Sequence, residues 1–163
     1  MKKRILTLGV VLVFVIVMVI PGTVLADTTL VSGTVIGGYI FQAPWAVELG
    51  DMPPTGSTWY AHSDTPGYFV GNSPAGYTVT GADIKATDTG YMTTSGGTPL
   101  ANRLEISDEE FTGYVTADVG KTWVDSTGPA SESIDLYVSQ LVEYTDTPGS
   151  YSLNITFTVT EKS

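Results

Sequence analysis

The chain of 163 residues has no cysteine, one histidine and only seven basic residues. The missing thiols exclude disulfides, thiolate metal sites and thiol redox catalysis, and with them the cysteine that a lipid-anchored export precursor carries at its cleavage point. His62 alone cannot supply the several imidazole or thiolate ligands of a zinc site. Three of the seven cations, Lys2, Lys3 and Arg4, sit at the extreme N-terminus. From Asp27 onward Lys85, Arg103, Lys121 and Lys162 face seventeen acidic residues, a net charge of −13. Such a surface repels nucleic acid and anionic lipid headgroups, so no nucleic-acid partner is expected. A sustained apolar period near 3.6 is also missing from residues 27–163, which leaves little room for helices.

The N-terminal cations precede an uncharged apolar run over residues 5–20, which Pro21 and Gly22 end. Thr23-Val24-Leu25-Ala26-Asp27 then places small or β-branched residues at −3 and −1 before Asp27. This order matches a secretory signal peptide over residues 1–26, so the sequence predicts export and a mature chain of residues 27–163. The rival is an uncleaved anchor. A bilayer span needs about 20 apolar residues, and the run is shorter, so membrane contact is expected only where residues 5–20 stay uncleaved. The remainder is the size of one domain and must build its core without disulfides.

What is abundant after residue 26 is threonine, 22 times, with valine, tyrosine and glycine beside it. Thr, Val and Tyr fit a pleated, half-buried surface, while Gly and Pro punctuate turns. The clearest strand is the last: Tyr151, Leu153, Ile155, Phe157 and Val159 alternate with polar residues, giving one core face and one wet face. Val31, Gly33 and Val35 alternate near the mature N-terminus. A strand from Tyr77 and Val79 is expected to continue through Ile84 and Ala86, with a bulge at residues 81–83. Ile134, Leu136 and Val138 make another face, and Leu141 falls out of phase with it. Shorter strands are expected over residues 46–49, 58–62, 68–70, 103–106, 113–117 and 122–125. Ser107-Asp108-Glu109-Glu110 has the form of a helix start, but Gly113 ends any helix within about a turn. The tetrapeptide Asp-Thr-Pro-Gly occurs at 64–67 and again at 146–149, and reads as two convergent turns. The sum is an all-β domain, a single antiparallel sandwich with Greek-key-like connections.

Catalytic chemistry finds little support. A Ser-His-Asp set drawn around His62 lacks a nucleophile elbow, and no two carboxylates stand out as an acid/base pair, so no enzyme and no cofactor are expected. Asp108, Glu109 and Glu110 offer oxygens to calcium, yet no Asp-x-Asp-x-Asp-Gly loop surrounds them, and a solvated acidic turn accounts for them equally. Trp59 and Tyr60 lie beside Gly-rich turns, where exposed aromatics stack on sugar rings; aromatics also fill sandwich cores, and both readings stay open. Asn154-Ile155-Thr156 matches a glycosylation acceptor on the predicted wet face.

Several stretches in order carry a family resemblance. Glu48-Leu49-Gly50-Asp51-Met52-Pro53, Gly76-Tyr77-Thr78-Val79-Thr80, Gly97-Thr98-Pro99-Leu100, Leu104-Glu105-Ile106-Ser107 and Ile155-Thr156-Phe157-Thr158-Val159-Thr160 together resemble the WxL-type surface domains of Gram-positive bacteria. Where that family has Trp and Leu, this chain has Tyr77 with Val79 and Phe157 with Val159, which keep an aromatic and an aliphatic on one strand face. The resemblance implies a β fold and non-covalent retention at the cell wall.

The expectation is therefore a secreted, non-catalytic cell-surface or cell-envelope binding or adhesion domain, partnered by an envelope component or a neighbouring surface protein. The residues after Thr160 carry no sortase-type tail. An alternative is self-association into a surface filament by β-strand addition, with residues 27–38 as the donor strand.

Overall fold

The computed structural model describes residues 25–27 and 38–163. The apolar run of residues 5–20 and the Val31, Gly33, Val35 alternation lie outside the described residues. Those described form an all-β antiparallel sandwich, as the threonine- and valine-rich composition requires.

One layer centres on β13 (Thr156–Glu161), which lies between β1 (Leu25–Asp27) and β5 (Tyr77–Ala82), with β9 (Lys121–Asp125) beyond β5. The other layer is a bent antiparallel ribbon. β3 (Ser57–His62) pairs with β11 (Tyr137–Val142), and β4 (Gly67–Gly71) pairs with β10 (Ala130–Ile134). The bend falls at residues 63–66 and 135–136, where Ser63 N donates to the Leu136 carbonyl at 3.0 Å and bridges the two halves. β2 (Tyr39–Gln42) extends the ribbon beside β4, while β7 (Glu105–Ser107) and β8 (Val115–Thr116) extend it beside β11. A two-stranded patch joins β6 (Thr93–Thr94) to β12 (Tyr151–Ser152). Only β7 and β8 pair as sequence neighbours among these strands, so most pairings are Greek-key-like crossings between distant segments.

The core forms where the period-two faces meet. Phe41, Phe69, Tyr77, Val79, Phe157 and Val159 fill the space between β2, β4, β5 and β13, and Ile106, Ile134, Leu136 and Val138 continue it under the ribbon. Gly81 is required here: a Cβ on it would lie 2.6 Å from the Trp123 ring and 3.1 Å from the Phe157 ring. Tyr77 is fully buried with its hydroxyl satisfied, donating to the Gly38 carbonyl and accepting from Ser73 N, both at 3.1 Å.

Four expectations are corrected. The last strand is two: β12 and β13 are separated by residues 153–155, which enter no ladder although Leu153 and Ile155 pack on the core. Ile134 and Val138 lie in different halves of the bent ribbon, and Leu141 is out of phase because Gln140, not an apolar residue, takes the inner position. Gln140 is buried because its Nε2 donates to the carbonyls of Asn102 and Leu141, at 3.1 and 2.8 Å. The Tyr77 strand stops at Ala82; its register shift against β9 lies at Val79/Thr80, and Asp83 turns inward to accept from Lys85 N and Gly90 N. Residues 46–49 form no strand. They belong to an irregular strap, residues 43–53, whose Val47 and Leu49 pack on the core from the side.

Candidate ligand-binding face

Alternation on β3 sends Tyr60 and His62 outward and Trp59 and Ala61 inward. Trp59 and Tyr60 therefore do not act as one platform. Trp59 is half-buried, with its indole N–H unpartnered among the described residues, whereas Tyr60 is 52% exposed. Around Tyr60 the outer face of the ribbon collects further aromatics. Phe111 meets the Tyr60 ring edge-on at 5.4 Å and Tyr114 does so at 6.1 Å. Two register positions along, on the same face, His62 lies 5.7 Å from Tyr137. Edge-to-face pairs of this kind fix ring orientation.

Phe111 is 68% exposed and has φ of 58°, a left-handed backbone that costs a non-glycine residue about 1–3 kcal/mol. Its loop is tied down on both sides. The Ser107 hydroxyl donates to the Thr112 carbonyl at 2.6 Å and accepts from Glu109 N at 3.1 Å. Lys121 Nζ pairs with Asp108 at 2.8 Å and donates to the Gly113 carbonyl at 3.1 Å. This turn replaces the helix start considered for Ser107, because the serine side chain bonds locally in both directions.

Polar groups line the same face. Ser139, opposite Tyr60 in the ladder, is buried and its hydroxyl donates to Glu105 Oε2 at 2.8 Å. Burial pushes the Tyr114 hydroxyl above the usual tyrosine range, and Tyr60, Glu110 and Glu105 nearby push the same way. Aromatic faces flanked by a carboxylate and hydroxyls are the complement of a sugar ring, whose C–H face stacks while its hydroxyls seek acceptors.

The other residues singled out in the sequence lie elsewhere. Tyr77, Val79, Phe157 and Val159 come together on the paired strands β5 and β13, but as core, each less than 5% exposed. Trp45 is exposed on the strap, and Trp123 packs against Phe157 and donates to the Asp135 carbonyl at 2.6 Å. Asp108, Glu109 and Glu110 do not converge, and among the described residues no group of three acidic or His side chains is placed to hold a metal. Asn154 is exposed. Sequence reasoning missed Phe111, Tyr114, Glu105 and Ser139; a lone Phe between an acidic triplet and Thr-Gly was the available signal for the first. Comparison with family models, with curated proteins and with solved structures found no match.

Proposed function

We propose that the chain is an exported, non-catalytic binding module of the cell envelope, held there non-covalently through the Tyr60–Phe111–Tyr114 face. The observation that carries this reading is Phe111, a large apolar ring held in solvent by a left-handed backbone and a doubly anchored turn. Strain of this kind persists where the surroundings enforce it, and it concentrates at ligand-contacting positions. The ligand class is a neutral polysaccharide: rings stack on Tyr60 and Phe111, Glu105 accepts sugar hydroxyls, and the −13 charge of residues 27–163 disfavours acidic polymers. The export signal and the resemblance to WxL-type domains support the same location, with the exposed aromatics taking the role that buried Tyr77 and Phe157 cannot.

The test is cosedimentation of the exported chain with envelope fragments. Tyr60→Ala and Phe111→Ala are each expected to weaken binding to the fragments about two- to tenfold, as loss of a stacking aromatic costs about 0.5–1.5 kcal/mol, with circular dichroism unchanged. Undiminished pelleting of the double variant would sink the aromatic face as the contact.

A second reading, a filament subunit joined by strand addition, is favoured by one feature. Among the described residues, the outer edge of β13 is covered by only the three residues of β1.

A further inference from the structure

Glu105 stands in the aromatic face as an acceptor without a cation. Four basic residues occur after residue 26, and each is paired elsewhere: Lys85 with Asp83, Arg103 with Asp118, Lys121 with Asp108 and Lys162 with Asp125. Among the described residues, the one group that donates to the Glu105 carboxylate is the Ser139 hydroxyl, on Oε2 at 2.8 Å. Glu105 is half-buried, and a carboxylate in that setting needs donors. One hydroxyl serves one of its two oxygens, which leaves the other to water or a ligand.

The ladder places this carboxylate beside the rings. Tyr60 lies opposite Ser139 and Ser139 lies opposite Glu105, so the three stand in one row across β3, β11 and β7 on the outer face. Adjacent strands are about 4.8 Å apart, which puts Glu105 about 10 Å from Tyr60 at the backbone. Ser139, in the middle of the row, is 2% exposed, so its hydroxyl acts by holding Glu105 and not by meeting a ligand. Tyr114 ties the carboxylate to the aromatics. Its ring meets Tyr60 at 6.1 Å; burial raises its pKa, and Glu105 is near enough to add to the rise.

A carboxylate held at one oxygen by a buried donor is oriented before any ligand arrives, and it can only accept. A hydroxyl in front of it donates. The carbonyl of an O-acyl ester in the same place is a second acceptor, and two acceptors leave both unpaired. We infer that Glu105, positioned by Ser139, makes this face selective for polysaccharide with free hydroxyls and against the same polymer with those hydroxyls acylated. This selectivity rests on the envelope-binding reading and adds to it the substituent that is read. An amide at residue 105 should reverse the chemistry. Ser139 then donates to the amide oxygen, as it does to the carboxylate, and turns the NH2 group, a donor only, toward the ligand.

The test uses the exported chain and two forms of one polymer. Envelope fragments are acetylated with acetic anhydride, and a portion is then treated with mild alkali, which cleaves esters and leaves amides. The unsubstituted chain is expected to bind the alkali-treated fragments about tenfold or more tightly than the acetylated ones, because acetylation removes a hydrogen bond to a charged acceptor. Glu105→Gln should bring that ratio to one or below, and matching circular dichroism shows that the variant folds. Ser139→Ala added to Glu105→Gln frees the amide to turn its oxygen outward, so the ratio should rise again. A Glu105→Gln ratio equal to that of the parent chain overturns the proposal, since crowding by acetyl groups on the stacked rings would survive the substitution. Binding that alkali does not restore overturns it as well, because an amine, by then an amide, was the donor. In both cases loss of pelleting with Tyr60→Ala would show that the envelope reading stands without it. A parent chain that pellets with neither form, nor with untreated fragments, overturns the envelope reading and this selectivity together.

Discussion

At the scale of single residues, two side chains stand in positions that folding alone would not choose. Phe111 holds a left-handed backbone in solvent, so Phe111→Gly should raise unfolding free energy by up to ~1 kcal/mol while it lowers retention on envelope fragments. Denaturant melts and pelleting on one preparation check both halves; a fall in stability would mean that Phe111 is structural. Tyr39 packs its ring on Phe69 and Tyr77, yet its hydroxyl is buried without a partner among the described residues. Burial raises its pKa, and the nearby Tyr77 and Glu161 raise it further. With the folded value above the unfolded value of about 10, this group's contribution is complete below pH ~10 and is lost as pH climbs through the folded pKa. Tyr39→Phe should therefore leave stability at neutral pH equal or up to ~1 kcal/mol higher, because an unmet buried hydroxyl disappears. It should also flatten the alkaline fall of the melting temperature.

At the scale of elements, the presentation of Phe111 depends on a contact between strands that never pair. Lys121 opens β9, in the layer opposite β7, and reaches both Asp108 and the Gly113 carbonyl. Its side chain is only 18% exposed, so this is more than a surface ion pair. Lys121→Met is expected to cost about 1 kcal/mol of stability. It should also weaken envelope binding without touching an aromatic, and its effect on binding should vanish when Phe111→Ala is already present. Additive losses in that double-mutant cycle would show that Lys121 acts elsewhere. The repeated Asp-Thr-Pro-Gly illustrates how little a local motif fixes at this scale. At the bend of the ribbon the Thr65 carbonyl accepts from Trp45 N and the Ser63 hydroxyl. After β11 it is Asp146 that acts, accepting from Ala101 N and Glu143 N.

At the scale of the whole molecule, charge and closure dominate. Four cations face seventeen carboxylates after residue 26, and the ion pairs of Lys85, Arg103, Lys121 and Lys162 engage every one of those cations. The remaining acidic residues repel one another in the compact state. Raising salt from ~10 mM to ~150 mM shortens the Debye length from about 30 Å to about 8 Å. The melting temperature should rise over that range and then level off, as differential scanning calorimetry can follow. A falling melting temperature would mean that the four ion pairs outweigh the global repulsion. The flank between the strap and residues 151–157 is the other whole-molecule feature, because its lining comes from segments a hundred residues apart in the chain.

The sequence by itself determined the class of fold. Period-two alternation, Thr and Val enrichment and Gly/Pro punctuation report which residues face inward on a strand, and Tyr77, Val79, Phe157 and Val159 are core as that alternation requires. The sequence grouped Trp59 with Tyr60, whereas the strand they form sends the two to opposite faces. Only the tertiary structure decided where strands break and which residues meet. Residues 46–49 and 153–155 look like strands locally, but a strand needs a partner within about 5 Å, and partners are assigned by distant chain segments. Ile134, Leu136 and Val138 keep one phase across a bend that sequence period cannot register. Phe111, Tyr114, Glu105 and Ser139 reach Tyr60 from a turn and three further strands or their flanks, a convergence that depends on pairing order. Alternation carries the face of each residue and nothing about its neighbour across the sheet, so the core was legible in the sequence and the candidate binding face was not.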